Sequence, residues 1–475
     1  MRTLYTILLT ATLVTTIDGQ TNDNYWSHQF GAHGLLLNGA VISSSRDETS
    51  LFYNPGAITL DDNLGFAFSF ITPTYTTQTN ENFLGNNQKL SDNGFGFSPG
   101  FLAVRFRPFK SDKIVAGASA FKRFQGDIQF QDRITDRIDS GNVFVFRSDL
   151  DFSRERSEDW FGLSLGYKLS DNLGIGISQF SVWHGQELEL DFTKEILFSN
   201  RPTSLVQSWR SEFDYDVNIS NGWITKIGMT YASTNFSAGL TLTTPLYGVA
   251  RSRASYSIDD QRINLIDTLF QVNSNRRSLD NAIVKSPLSV GLGFDYGFEQ
   301  YRLYMSAEYF WAIENYTIFS DTNNTFQGAT DADSELTVNI STGNISVLNF
   351  AIGLEYFKND KITILGGFRT DRNQNNTLFI NDSAQFLSTT PSIFHLSGGV
   401  LANYGSSVLS IGLDLAYGLN QEGQQLTDLS NITSENIFTF SGNNSVRSQF
   451  YSISLFLTYD FIFDRITKNH KEKHQ

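Results

Sequence analysis

The chain has 475 residues, with 35 Lys+Arg against 49 Asp+Glu and a net charge of −14. That balance offers phosphates no basic face and excludes nucleic acid as a partner. Cysteine is absent, which excludes a disulfide frame, a thiolate metal site, a Cys nucleophile and a lipid-modified N-terminal cysteine.

In chain order, the first segment reads as an export signal. Arg2 gives a positive start, Leu4 to Val14 an apolar stretch too short to cross a bilayer, and cleavage is expected after Gly19. The same run would serve as a buried strand or helix at the start of a cytosolic domain. Beyond residue 20 no apolar run reaches the roughly 18 residues of a membrane helix. Aromatics nevertheless make up 14% of the chain, with 41 Phe, 19 Tyr and 37 Gly. An exported, acidic chain of this kind is either a soluble secreted β-protein or an outer-membrane β-barrel.

Residues 20–62 carry no strand period. Gly31, Gly34 and Gly39 interrupt the apolar series Phe30, Ala32, Leu35, Leu36 and Leu37. Near its end stands Asn54-Pro55-Gly56, one of only eight prolines in the chain and by itself a plain turn signal.

From residue 63 onward the alternation has period 2. Leu288 to Tyr296 sets Leu, Val, Leu, Phe and Tyr on alternate positions against Ser, Gly, Gly and Asp; Leu348–Tyr356, Leu409–Gly418 and Tyr451–Phe461 repeat the pattern. Successive side chains of a strand point to opposite faces. About fourteen such segments are expected, near 63–77, 95–109, 113–131, 143–169, 172–193, 206–232, 235–258, 285–296, 301–317, 346–357, 361–372, 391–403, 406–420 and 446–462. Tyr167, Tyr231, Tyr296, Trp311, Tyr417 and Tyr459 end apolar faces, where a membrane interface favours an apolar body with a polar tip. Short turns near Ser170–Asp171, Ser233–Thr234, Asn359–Asp360 and Tyr404–Gly405 alternate with long polar stretches at 78–93, 259–281, 320–343, 373–390 and 421–444. That asymmetry belongs to transmembrane barrels. The expected fold is all-β: an antiparallel transmembrane barrel of about fourteen strands over 63–463, an N-terminal hatch over 20–62 inside the lumen, and a polar tail over 464–475. A lumen that wide is not filled by wall side chains alone, which is what makes the N-terminal segment a candidate plug.

Several residues stand out within the strands. In the fifth, the apolar phase slips from Leu173, Ile175 and Ile177 to Phe180 and Val182, so a bulge is expected near Ser178. Pro99-Gly100 interrupts the ladder of the second strand, and the third carries Gly117 and Gly126. A lateral opening between those two strands is expected; a bulge at a loop-facing strand end is the plainer alternative. Lys168, Lys226, Asp295, Glu308, Glu355, Arg369 and Asp414 fall on polar faces and are expected to line a wet lumen. Of these, Lys168, Lys226 and Arg369 are candidate partners for a ligand carboxylate. His395 and Ser397 share one face with i, i+2 spacing, compatible with a nucleophile–base pair, but no orienting group lies on the same strand and wall residues are expected. No metal site and no cofactor are indicated.

The stretch from Ser45 to Phe70, SRDETSLFYNPGAITLDDNLGFAFSF, followed by about fourteen alternating strands, resembles the FadL/TodX family of outer-membrane transporters for hydrophobic compounds. In that family an Asn-Pro-Ala motif lies in an N-terminal hatch inside the barrel. The matching residues are Asn54, Pro55 and Gly56, with Gly in place of Ala, which keeps a small residue and loosens the backbone. The resemblance implies a hatch gate at these residues and a monomeric channel in a Gram-negative outer membrane. It also implies a hydrophobic cargo, a fatty acid or an aromatic hydrocarbon, released sideways into the lipid through the wall. A diffusion porin for polar solutes and a barrel lipase using His395 and Ser397 are the competing readings.

Overall fold

A computed structural model describes residues 24–44, 47–61, 64–69, 72–85, 88–98, 100–108, 111–138, 144–198, 201–325, 335–380, 384–386, 391–433, 436–439, 442 and 444–463. The expected signal segment, the tail after Phe463 and Pro99 lie outside the described residues.

Eighteen strands form one antiparallel sheet, and four staves of the barrel are each split in two, so the wall has fourteen staves. The first stave is β1 (Gly65–Ser69) with β2 (Thr72–Glu81), and the second is β3 (Lys89–Ser98) with β4 (Phe101–Phe106). Then come β5 (Ile114–Ile138), β6 (Phe144–Ser170), β7 (Leu173–Phe198) and β8 (Arg201–Ala232). The seventh stave is β9 (Phe236–Thr243) with β10 (Arg251–Asn264), and the eighth β11 (Leu269–Asp280) with β12 (Ser289–Phe298). After β13 (Tyr301–Phe310), β14 (Ile313–Thr325) and β15 (Glu335–Asn344) form a hairpin beyond the wall, which resumes with β16 (Val347–Asn359) and β17 (Ile362–Asp371). β18 (Asn375–Ile380) and β19 (Ala384–Phe386) extend the outer hairpin sheet, and β20 (Ser392–Tyr404), β21 (Ser407–Gln424) and β22 (Ser445–Ile462) complete the barrel. β22 closes it by pairing with β1 and β2.

Two zones follow one another along the axis. In the central belt the outward positions are large and apolar: Phe161, Leu163, Leu165 and Tyr167 on β6, and Leu409, Ile411, Leu413, Leu415 and Tyr417 on β21, are all exposed. Inward positions there are small, and many are Gly or Ser. Towards the long-loop end the faces exchange character. On β7 the outward residues become Glu187, Glu189 and Asp191, while Leu188, Leu190 and Phe192 turn inward into a second apolar core with Trp209, Phe213 and Tyr215. The stretches at 78–93, 259–281, 320–343 and 373–390, expected as polar loops, therefore contain strands: β2 and β3, β10 and β11, β14 and β15, β18 and β19. Their polar composition reflects a solvated outer face above the lipid belt.

The bulge expected near Ser178 is absent. β7 keeps its alternation there, with Ser178, Phe180 and Val182 all inward. Phe180 and Val182 are apolar because they line an apolar interior, so the apolar face changes sides while the backbone register holds. The register shift between β7 and β8 falls instead between Val182 and His184, opposite Asn221, which has φ +56°.

Residues 24–44 and 47–61 lie inside the barrel and are almost wholly buried. They fold as helix α1 (Gly31–Leu36), helix α2 (Ser50–Tyr53) and a 3-10 turn at Ala57–Thr59. Asn38 and Gly39, with φ +54° and +80°, reverse the chain after α1. Among the described residues no helix is long and apolar enough to cross a membrane.

Candidate functional site

The inner segment is held to the wall by hydrogen bonds from wall side chains to its backbone and from its side chains to the wall. Ser178 Oγ donates to Leu51 O at 2.7 Å, Ser397 Oγ to Leu36 O at 2.8 Å, Asn38 Nδ2 to Gly367 O at 3.0 Å and Asn24 Nδ2 to Asp371 O at 3.1 Å. Inward-facing glycines let the two surfaces approach. A Cβ on Gly176 would stand 2.1 Å from Pro55 O, one on Gly228 2.1 Å from Asn54 Oδ1, and one on Gly367 2.5 Å from Leu37 C.

Asn54, Pro55 and Gly56 sit where this approach is tightest. Asn54 Nδ2 donates to Ile42 O at 2.8 Å and to Thr230 Oγ1 at 2.9 Å, and its Oδ1 accepts from Gly56 N at 2.9 Å. Gly56 has φ −68° and ψ −27°, a conformation open to any residue, so backbone freedom is not its role. A Cβ there would lie 2.7 Å from Met229 Cα; the glycine is needed for contact with β8.

The polar-face charges do not line a wet lumen, because the inner segment fills it. Trp26 Nε1 donates to Glu308 at 2.9 Å, Ser44 Oγ to Asp295 at 2.6 Å and Tyr304 OH to Glu355 at 2.6 Å. Arg369 donates to Asn38 Oδ1 and, at 3.1 Å, to Ser27 O, and stands beside His395. It ties the wall to the inner segment. Lys168 sits at the short-turn rim, 3.4 Å from Asp171, remote from the cavity described next. His395 Nδ1 and Asp414 Oδ2 are 2.8 Å apart, so an acidic orienter does exist, on β21. Ser397, however, donates to Leu36 O, and Arg369 crowds the imidazole. No nucleophile–base pair forms.

A cavity lies between the inner segment and the wall from β5 round to β13. Phe52, Trp160, Phe124, Phe310 and Tyr25 supply an aromatic lining, with Phe52 and Trp160 ring centroids 6.1 Å apart and Tyr25 stacked on Phe310 at 4.4 Å. Lys285 and three further cations line it. Lys226 Nζ lies 4.7 Å from the centre of the Phe52 ring, Arg123 5.6 Å from the same ring and 4.8 Å from Phe124, and Arg156 4.5 Å from Phe124. Such stacking favours a cation only modestly. Lys226 meets no hydrogen-bond acceptor among the described residues, and Arg123 Nη1 is buried without one. The two acids, Glu158 and Glu308, are already engaged by Trp160 and by Trp26 and Ser289. On the inner segment His28 borders the same space. Burial first, then the charges of Arg123, Arg369 and His395, lower its pKa to about 3, so it stays neutral.

Arg123 and Phe124 were not legible as site residues. A bulge in β5 puts both on the inner face: Lys122 pairs with Asp159 and Phe124 with Glu158, leaving Arg123 over. The signal was the break in alternation at Lys122-Arg123-Phe124. At this bulge the backbone pairing between the second stave and β5 stops. β4 pairs with β5 from Phe106–Ala116 to Phe101–Phe121, whereas among the described residues no backbone pairing joins β3 to β5. Gln129 N, donating to Asp92 Oδ2 at 3.0 Å, bridges the seam. Gly126 borders this unpaired stretch. Gly117 lies in the paired part, against Leu51, and Gly100 stands where β3 passes into β4.

No protein-family model and no curated protein matches the sequence. Among solved structures, the barrel is similar to the Ralstonia pickettii toluene transporter TbuX, with 15% identity and a TM-score of 0.53 over 92% of this chain and 98% of that one. It is also similar to the P. putida toluene transporter TodX, with 15% identity and 0.54 over 91% and 98%, and to a Pseudomonas aeruginosa FadL homologue, with 12% identity and 0.54 over 93% and 100%. At these identities what is shared is the fold, the fourteen-stranded antiparallel barrel of FadL/TodX-type channels for hydrophobic compounds.

Proposed function

We propose that the chain is a monomeric channel of a Gram-negative outer membrane that passes hydrophobic small molecules, long-chain fatty acids or aromatic hydrocarbons, and releases them sideways into the surrounding lipid. Residues 1–19 serve as its cleaved signal and residues 20–62 as its hatch. One observation carries this reading: an aromatic cavity enclosed between hatch and wall abuts a stretch of wall whose neighbouring strands, β3 and β5, are not paired. An apolar solute leaving at the membrane end of that seam, beside the bulge at Arg123, enters lipid without passing a water-filled pore. Lys226, with the free Arg123 Nη1, is the carboxylate partner if the cargo carries one, while Asn54, Pro55 and Gly56 gate the route because they fix the hatch to β7 and β8. A diffusion porin needs an open lumen, and the hatch occupies it.

The seam is tested by closing it. The chain has no cysteine, so an Asp92→Cys/Gln129→Cys pair gives a single defined crosslink. Uptake of labelled fatty acid or toluene into cells is expected to fall severalfold when the pair is oxidised and to recover on reduction. Full uptake through completely crosslinked protein would refute lateral release, and mass spectrometry of molecules retained by the purified protein would identify the cargo class.

A further inference from the structure

At the short-turn end the hatch meets the wall through a cluster with more carboxylates than cations. The hatch contributes His33, Asp47, Glu48 and Asp61; the wall contributes Arg105 on β4, Tyr304 on β13, Glu355 on β16 and Asp460 on β22. His33 Nδ1 lies 3.3 Å from Asp47 and its Nε2 3.6 Å from Glu355; Arg105 lies 2.8 Å from Asp61 and 3.5 Å from Glu48. Among the described residues of this cluster, five carboxylates thus meet two cationic groups. Asp47, Glu48, Glu355 and Asp460 are at most 5% exposed, and Asp460 Oδ1 is buried without a hydrogen-bond partner. The cluster borders an open cavity among the short turns, where Lys358 and Asp360 also face it. Among the described residues no group of three or more His, Asp or Glu is placed to hold a metal ion.

We propose that Glu48 and Asp460 form a proton-binding latch: a proton held there seats the hatch against β1, β4 and β22, and its loss loosens that seat. The physical reason is that buried like charges repel with little screening, and the open cavity gives protons a path from water. Burial first, then the neighbouring Asp47 and Asp61 against the opposing pull of Arg105, raises Glu48 from its ordinary 4.5 to about 7. His33 loses some basicity to burial but gains more from Asp47 and Glu355, reaching about 10, so it remains a fixed cation across this range. An acid that binds its proton more tightly when seated favours the seated state at low pH. That advantage is complete below about 4.5 and is lost as pH rises through about 7.

The latch concerns the hatch alone and is measured without cargo, so it stands or falls apart from the transport reading. Full-length protein is reconstituted in planar bilayers with a chelator, and open events are counted at about pH 5.5 and about pH 8. The wild type is expected to open at least about fivefold more often at the higher pH. Glu48→Gln and Asp460→Asn should each weaken that response, and the double variant should stay closed at both. An unchanged wild-type count, or a full response in the double variant, refutes the latch; so does a response abolished by added Mg²⁺, which identifies a metal instead. Should the variants fail to assemble, amide exchange across Leu51–Asn54 in the wild type, corrected for intrinsic pH dependence, decides alone: equal protection at both pH values refutes it.

Discussion

Lys226 shows how much a single side chain's surroundings can select. It is 6% exposed on β8, its Nζ faces the Phe52 ring at 4.7 Å, and nothing described accepts a hydrogen bond from it. A hydrocarbon leaves it so; a carboxylate supplies the missing acceptor, and a charge-assisted bond of about 1.5–3 kcal/mol follows. Lys226→Met keeps the stem packed on Phe52 and removes only the charge. Affinity for a long-chain fatty acid, measured by titration in detergent, should fall by roughly 10- to 100-fold, while affinity for toluene stays within about threefold. Equal losses for both ligands would mean that Lys226 acts through packing alone. Of the three candidate cations, only this one lines the cavity, and among the described residues it meets no hydrogen-bond acceptor. Lys168, Lys226 and Arg369 look alike on an alternating strand; what separates them is the hatch, which comes from a distant part of the chain and takes Arg369 for Asn38 and Ser27.

At the scale of the element, the strands were legible because lipid on one side and a packed interior on the other impose a strict period of two. Two things were hidden. The apolar face changes sides above the lipid belt, so Phe180 and Val182 imitate a bulge, and the polar outer faces within 259–281 and 320–343 imitate loops. The bulge at Arg123 inserts one residue where only the break in alternation at Lys122-Arg123-Phe124 marks it. The hatch turn was visible as Asn54-Pro55-Gly56, but the reason for its third residue was not: Gly56 is shaped by Gly228 and Met229, more than 170 positions away in sequence by the separation of Asn54 from Met229, 175. Gly56→Ala sets a Cβ 2.7 Å from Met229 Cα and should cost the seated hatch about 1–3 kcal/mol. Amide exchange at Tyr53 and Asn54, whose N–H groups bond to Thr49 O and Ser50 O, should then quicken by roughly 5- to 150-fold while the strands stay protected. Unchanged exchange would mean that the turn has room to spare.

Taken whole, the molecule is a wall of ladders around a separately packed filling. β8 alone has 32 residues, about 100 Å at roughly 3.3 Å each, against a hydrocarbon layer of about 30 Å; the excess builds the second apolar core beyond the lipid belt. The backbone ladder that closes the wall, β22 on β1 and β2, is made by wall strands alone, so barrel and hatch are separable in principle. The lumen, conversely, owes its closure to the hatch. Where the wall faces it, residues such as Gly166, Gly176, Gly228, Gly293 and Gly412 have no side chain to reach across. Deleting residues 24–61 should therefore leave a barrel that still shifts on heating in a denaturing gel. It would expose Asp295, Glu308, Glu355 and Arg369 to water and raise single-channel conductance at least tenfold over the intact protein, since charge-lined wide barrels conduct. If intact and deleted proteins conduct equally, the hatch does not seal the lumen, and the diffusion porin displaces the hydrophobic channel as the reading of this chain.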